Sequence, residues 1–187
     1  MSNIAVFASG SGSNAENIFN HFLGSSVARV NLFLTENPSA YVLERAKKLG
    51  VRAVVFSMDE FRSGKVLDIL KNEGVDFVVL AGFLKLIPAN LIDEYPNAIV
   101  NIHPALLPKF GGKGMYGDRV HSAVIEAGEK ESGITIHYVN HKYDEGKTIF
   151  QAKCPVLPTD LASDLAQRVH ELEYKHYPVV IEQILRG

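Results

Sequence analysis

Short apolar runs alternate with amphipathic helical patterns through the first hundred residues, and this alternation restricts the chain to a narrow set of folds. Asn3–Phe7 reads as a strand and Ala15–Leu23 as a helix. Val27–Leu34 reads as a second strand, followed by a helix over Ser39–Leu49 that Gly50 closes. Further strands are predicted at Arg52–Phe56, Phe77–Leu80 and Ala98–His103, separated by helices at Lys65–Asn72 and Ala89–Glu94. Strands that are apolar on both faces and spaced by helices imply a parallel sheet covered on both sides. Beyond them Pro108–Gly117 carries four glycines and no periodicity, so it reads as a loop. A helix over Asp118–Ala127, strands over Ile134–Val139 and Thr148–Cys154, and a long helix over Leu161–Leu185 complete the chain. Pro178 is expected to kink that last helix. The expected architecture is one α/β domain over residues 1–187, a mostly parallel central sheet flanked by helices with a long C-terminal helix.

Composition narrows the function classes. The formal net charge of −2 and the lack of a basic run predict no nucleic-acid partner. No apolar stretch reaches the roughly 20 residues of a membrane span, and the N-terminal MSNIAVFASG lacks the basic and long apolar segments of a secretory leader. A single cysteine, Cys154, rules out an intrachain disulfide and fits a reducing, cytoplasmic setting. Cys154 lies in an apolar run and reads as packing rather than as a nucleophile. No Cys/His spacing suggests a metal site.

In open α/β sheets, ligands collect beyond the carboxyl ends of the parallel strands. Two segments occupy such ends. The first is Ala8–Asn14, ASGSGSN, between the first strand and the first helix. Gly10 and Gly12 permit positive-φ turns, Ser11, Ser13 and Asn14 add donors, and the helix N-terminus presents unpaired N–H groups to an anion. The loop lacks the Lys of a Walker A motif, and Ala15 stands where a dinucleotide loop has its last glycine. A phosphomonoester is therefore the favoured occupant.

The second segment is Asn101-Ile102-His103-Pro104, in which Asn101 and His103 share one strand face. An amide donor beside an imidazole at a strand end suits an oxygen that gains negative charge during acyl transfer. The loop NHKYDEGK, residues 140–147, offers Asp144 and Glu145, either of which supplies a carboxylate. Near His103 it is expected to raise the imidazole pKa, so that a positive ring stabilises the oxyanion.

Asn101-His103-Pro104, the Gly12-Ser13-Asn14 loop and Asp144-x-Gly146, in this order, resemble the glycinamide ribonucleotide formyltransferase family. The resemblance covers essentially the whole chain and implies a Rossmann-like formyltransferase fold. It implies catalytic roles for Asn101, His103 and Asp144, and a substrate phosphate at Gly12, Ser13 and Asn14. Leu80–Phe83 matches a further family segment. Leu84, Lys85, Leu86 and Ile87, together with Asn101, are then expected to border the folate pocket, and Glu173 to approach the amine-bearing substrate. The chain departs from the family at Ala105, at Glu145, and in a long loop over Phe110–Asp118. It has no clear basic residue for the phosphate, for which Arg62 and Lys65 are the candidates.

The implied reaction moves a formyl group from 10-formyltetrahydrofolate to the amine of glycinamide ribonucleotide in purine biosynthesis, with no metal and with small-molecule substrates as the partners. The amine attacks directly, Asn101 and His103 hold the oxyanion, and Asp144 charges His103 and helps move the proton. His137, on a facing strand, reads either as a neighbour of Asn101 or Asp144 or as an ordinary strand histidine. The protein is expected to act as a monomer or homodimer. Three alternatives share parts of this pattern. They are a formyltetrahydrofolate hydrolase, a sugar or tRNA formyltransferase, and a non-catalytic nucleotide-binding module.

Overall fold

The computed structural model describes residues 1–187. Seven strands form one sheet: β1 (Ser2–Phe7), β2 (Ala28–Thr35), β3 (Arg52–Val55), β4 (Phe77–Leu80), β5 (Ile99–His103), β6 (Glu131–Tyr138) and β7 (Thr148–Pro155). Their order across the sheet is β3-β2-β1-β4-β5-β6-β7. The first five are parallel, and β6 and β7 add in antiparallel fashion. The chain moves outward from β1 in one direction to β2 and β3, then returns to the other side of β1 at β4. The switch point therefore lies between β1 and β4, where the loops leaving the two strands diverge and open a crevice.

Helices cover both faces. On one lie α1 (Ser13–Phe22), α2 (Val42–Leu49), α6 (Asp118–Glu126) and α7 (Ala162–Arg186). They bury Ile18, Ala46, Val124 and Ile181 against Ile4, Val6 and Val100. On the other lie α3 (Met58–Ser63), α4 (Lys65–Asn72) and α5 (Ala89–Glu94), which bury Phe61, Leu70 and Leu91 against Phe7, Leu34 and Val78. Successive strand residues feed opposite cores, which is why the strands are apolar throughout rather than alternating. No helix is long and apolar enough to cross a membrane.

α7 runs through Pro178 without a break. Proline has no N–H, so the carbonyl of Tyr174, four residues earlier, loses its helical donor. The Asn17 side chain of α1 supplies the replacement at 2.9 Å. One residue before the proline, the fully buried Tyr177 hydroxyl bonds the carbonyls of Leu80 at 2.9 Å and Val100 at 3.3 Å. α7 is thus fastened to β4 and β5.

Several elements differ from the sequence reading, β6 among them, which spans Glu131–Tyr138 and not Ile134–Val139. α1 begins at Ser13, not Ala15, so Ser13 and Asn14 sit in the first helical turn and Gly12 is the N-cap. α2 begins at Val42, not Ser39, because the Asn37 side chain takes the Ser39 N–H at 3.0 Å and holds that segment in a turn. α3 was not expected at all. It is set by a reciprocal capping box in which the Ser57 hydroxyl accepts the Glu60 N–H and the Glu60 carboxylate accepts the Ser57 N–H.

Candidate active site

A cavity of about 590 Å³ opens beside the switch point, beyond the ends of β4 and β5. Asn101, His103, Asp144 and His137 line one part of it, and Leu84–Ile87 form a largely apolar border. Asn14 and Glu173 line it as well. The cavity is thus shared by the two strand ends, the β6–β7 loop, the first turn of α1 and α7.

The sheet register builds the polar end. Asn101 lies opposite His137, and His103 opposite Thr135. His137 Nδ1 faces its neighbour's carbonyl, Tyr138 O, at 2.8 Å, so Nδ1 carries the proton. The Nε2 lone pair then accepts from Asn101 Nδ2 at 3.2 Å. Beneath His103 the Thr135 hydroxyl donates to Ala105 O at 2.7 Å. It also accepts from Leu107 N at 2.9 Å and from Gln151 Nε2 at 2.8 Å. A hydroxyl has one donor and two acceptor positions, so Thr135 is saturated, and it pins the turn that follows His103.

Asp144 reaches this group from the β6–β7 loop with φ of 55°, a left-handed conformation that Asp tolerates better than most residues. Gly146 explains the Asp-x-Gly spacing, since a Cβ there would collide with the Tyr138 carbonyl. Asp144 Oδ2 accepts the Gly112 N–H at 2.9 Å and lies 3.5 Å from His103 Nδ1. Its Oδ1 lies 3.5 Å from Asn101 Nδ2 and 3.6 Å from His137 Nε2. Burial alone pushes the Asp144 pKa up, but His137, His103 and the Gly112 N–H outweigh it and hold the carboxyl below its ordinary value. Asp144 is an anion at neutral pH.

His103 behaves differently from expectation. Asp144 was expected to raise its pKa, and the structure lowers it. Burial is the largest influence and depresses it, against the upward pull of Asp144 and of the Phe110 carbonyl. At 3.5 Å the carboxylate is at the edge of hydrogen-bond range and does not repay the loss of hydration. The ring is neutral at neutral pH. Its Nε2 meets Phe110 O at 2.7 Å, which places the proton on Nε2.

The sequence-derived phosphate loop is only partly as expected. Asn14 lines the cavity, but Gly12 and Ser13 do not. Gly12 has φ of 69°, and a Cβ on it would stand 2.5 Å from Val42 Cγ2. That glycine is needed for the close approach of α1 to α2. Arg62 and Lys65 are misplaced as phosphate ligands. They pair with Asp59 and Glu60 and belong to helices on the opposite sheet face from α1. The basic side chains that do reach the loop are Arg45 and His170. Arg45 Nε donates to Ser11 O at 2.8 Å, and the same side chain pairs with Glu16. His170 Nε2 lies 3.4 Å from Ser13 Oγ. Sequence reasoning missed both because each comes from a helix distant in the chain.

Glu173 connects α7 to this corner. Its Oε2 accepts from Asn14 Nδ2 and is bonded by His170 Nδ1, each at 2.8 Å. Cys154 is buried, with its thiol pKa raised by that burial, in keeping with a packing role.

Comparison with known proteins agrees with this geometry. A family model described as formyl transferase matches residues 2–181. The phosphoribosylglycinamide formyltransferase of Haemophilus influenzae is 35% identical over 193 residues, covering 100% of this chain and 89% of that protein. The chloroplastic phosphoribosylglycinamide formyltransferase of Arabidopsis thaliana is 43% identical over 188 residues, covering 97% of this chain. The chain spans 64% of the length of that plant relative and 14% of the trifunctional purine biosynthetic protein adenosine-3 of Drosophila melanogaster. Among solved structures, glycinamide ribonucleotide transformylase 1 from Symbiobacterium toebii superposes with a TM-score of 0.92 at 35% identity, covering 100% of this chain and 89% of that one. The sheet order, the Asn–His–Asp group beside the switch point and a match that leaves out only the chain ends lead to one conclusion: this chain belongs to the formyl transferase family.

Proposed function

We propose that this protein transfers the formyl group of 10-formyltetrahydrofolate to the amine of glycinamide ribonucleotide. The observation that carries the reading is the convergence of Asn101, His103 and Asp144 in one cavity that also has an apolar border and reaches the first turn of α1. The relatives named for this activity favour the ribonucleotide over a sugar or tRNA acceptor. A purely binding module has no use for a buried carboxylate held ionised beside two histidines.

In this reading the donor's ring system lies along Leu84–Ile87 and the formyl carbon sits beside Asn101 and His103. The amine attacks that carbon, the carbonyl oxygen takes the negative charge, and the bond to the folate nitrogen then breaks. Asp144 accepts the amine's proton, and the same proton ends on the leaving nitrogen. His103 serves as a neutral donor through Nε2–H, which must leave Phe110 O to meet the oxyanion. Asn101 contributes the amide hydrogen directed at Asp144, the longer of its two contacts. These residues come from one copy of the chain, so we treat residues 1–187 as one catalytic unit, whether monomer or homodimer. A cytoplasmic setting fits the single cysteine.

The direct test follows deformylation of 10-formyl folate by the purified protein with and without glycinamide ribonucleotide. Release that depends on the ribonucleotide supports the proposal. Release without it indicates a hydrolase, and no release in either case removes the enzymatic reading.

A further inference from the structure

His121, on α6, is a side chain that the catalytic scheme leaves without a role. It is only 5% exposed. Its Nδ1 is buried and has no hydrogen-bond partner, although buried polar atoms are nearly always paired. The ring lines the catalytic cavity and also a neighbouring groove between α6 and α7. Glu173 is the other residue common to both.

The groups around this shared wall have complementary unused capacity. Asn14 Oδ1 is buried and unpartnered, while its amide nitrogen is committed to Glu173. Glu173 uses Oε2 for both Asn14 and His170, which leaves Oε1 free to accept. Burial depresses the His121 pKa, against the pull of Glu173 and Asp118, so the ring is neutral and has one N–H. A buried N–H without a partner is a rarer arrangement than an unfilled acceptor. The proton therefore sits on Nε2, with the bare Nδ1 turned into the protein. The wall then presents one donor beside two acceptors. An ammonium group has no use for the donor, and a phosphate has none for the acceptors. A hydroxyl uses both, since it accepts from one neighbour and donates to the next.

We infer that His121 is a specificity-determining residue: its Nε2–H donates to a sugar hydroxyl of the amine-bearing substrate, and that hydroxyl in turn donates to Glu173. This rests on the proposed ribonucleotide reading. It assigns to His121 the selection of a hydroxylated sugar over a deoxy sugar.

The test measures calorimetric binding of glycinamide ribonucleotide and of its 2′-deoxy and 3′-deoxy analogues. The proteins are the wild type, His121→Phe and His121→Gln. Gln places an amide N–H near the position of Nε2, and Phe fills the space without a donor. The wild type is expected to bind the ribonucleotide at least tenfold tighter than one of the deoxy analogues, the ratio that one hydrogen bond of about 1.4 kcal/mol supplies. His121→Phe should bind the ribonucleotide about tenfold more weakly and the sensitive analogue unchanged, so the ratio falls about tenfold to what the Glu173 contact alone supplies, and His121→Gln should restore most of it. A His121→Phe protein that weakens all three ligands equally, or none, overturns the inference while leaving the proposed function standing. A Gln variant no better than Phe also overturns it. If the wild type does not bind the ribonucleotide at all, the functional reading falls and this inference falls with it.

Discussion

The Nε2–H of His103 donates to the backbone carbonyl of Phe110 at 2.7 Å, so the group best placed to meet an oxyanion is already engaged by the loop that follows it. The same loop donates the Gly112 N–H to Asp144. The Pro108–Gly117 segment therefore holds both partners of the candidate acid–base pair. With burial also opposing its charge, His103 is a neutral donor rather than the imidazolium that a carboxylate neighbour suggested. A neutral imidazole can still polarise a carbonyl oxygen when its N–H is aimed at it. Nitrogen-15 NMR of labelled histidine should show His103 at pH 7 as the neutral Nε2–H tautomer. A doubly protonated ring at that pH contradicts this assignment.

Stability should fall on mild acidification. His103 and His121 both have pKa values depressed from 6.5, chiefly by burial, and His176 shifts the same way. Between the depressed folded values and the ordinary value of the unfolded chain, the unfolded state binds more protons. Stability therefore rises with pH through that window and is lost as pH falls below about 6.5. Each such ring contributes at most about 1.4 kcal/mol per pH unit. Urea unfolding at half-unit steps from pH 5 to 7.5 measures the slope, and His121→Phe should make it shallower. The Asp144 contribution lies lower, lost as pH falls below its ordinary value of 3.8.

Gly12 is expected to act on the fold and not only on a phosphate. Any side chain there meets Val42 and must hold φ near 69°. Gly12→Ala should cost about 2–4 kcal/mol, combining left-handed strain with overpacking. Val42→Ala should not rescue it. The Val42 Cβ and Cα, at 2.6 and 2.9 Å from the added carbon, remain after truncation. Full rescue in denaturant titrations is inconsistent with this packing.

Much of this arrangement was legible in the sequence where the signal is local. The strands could be read because two cores demand apolar residues on both faces, and Asn101 and His103 because strand alternation puts them on one face, whereas Asp144 was singled out by the family resemblance, since an Asp-Glu-Gly turn is common in itself. α3 was missed although Ser57 and Glu60 spell its capping box, because six residues show too little periodicity. Arg45, His121 and His170 were missed because helix packing alone brings them to the cavity or the α1 loop. The Phe110 carbonyl has no sequence signature at all, since every residue has one. The wrong sign for His103 has the same origin, since its partner was visible but its burial was not.

Tyr177→Phe should separate the anchoring of α7 from the chemistry. The hydroxyl bonds Leu80 O and Val100 O in a fully buried position, and its loss leaves those carbonyls without that donor. A cost of about 1–2 kcal/mol is expected. Since Glu173 lies one helical turn away, KM for the ribonucleotide should rise more than kcat falls. A variant as stable as wild type argues that the two carbonyls are satisfied without the hydroxyl.

His103 and Asp144 should behave as one unit in turnover. Asp144 is an anion whose Oδ2 lies nearest Nδ1, and His103 offers Nε2–H on its far side. The amine's proton taken by Asp144 can pass to the bare Nδ1 beside it, so the ring becomes positive only as the oxyanion forms and returns that proton by way of Asp144 to the leaving nitrogen, and the effect is concentrated in the transition state. Loss of one oxyanion donor typically costs about 10²–10³ in kcat, and His103→Ala and Asp144→Asn are each expected to lose at least that. KM should change much less. Because Asp144 is also the candidate proton acceptor, Asp144→Asn should be the poorer of the two. The double variant should then be little worse than Asp144→Asn alone, since the ring's contribution depends on the carboxylate. Losses that simply multiply in the double variant would mean that the two residues act independently. In that case Asp144 would serve the proton alone, and His103 would owe nothing to its 3.5 Å neighbour.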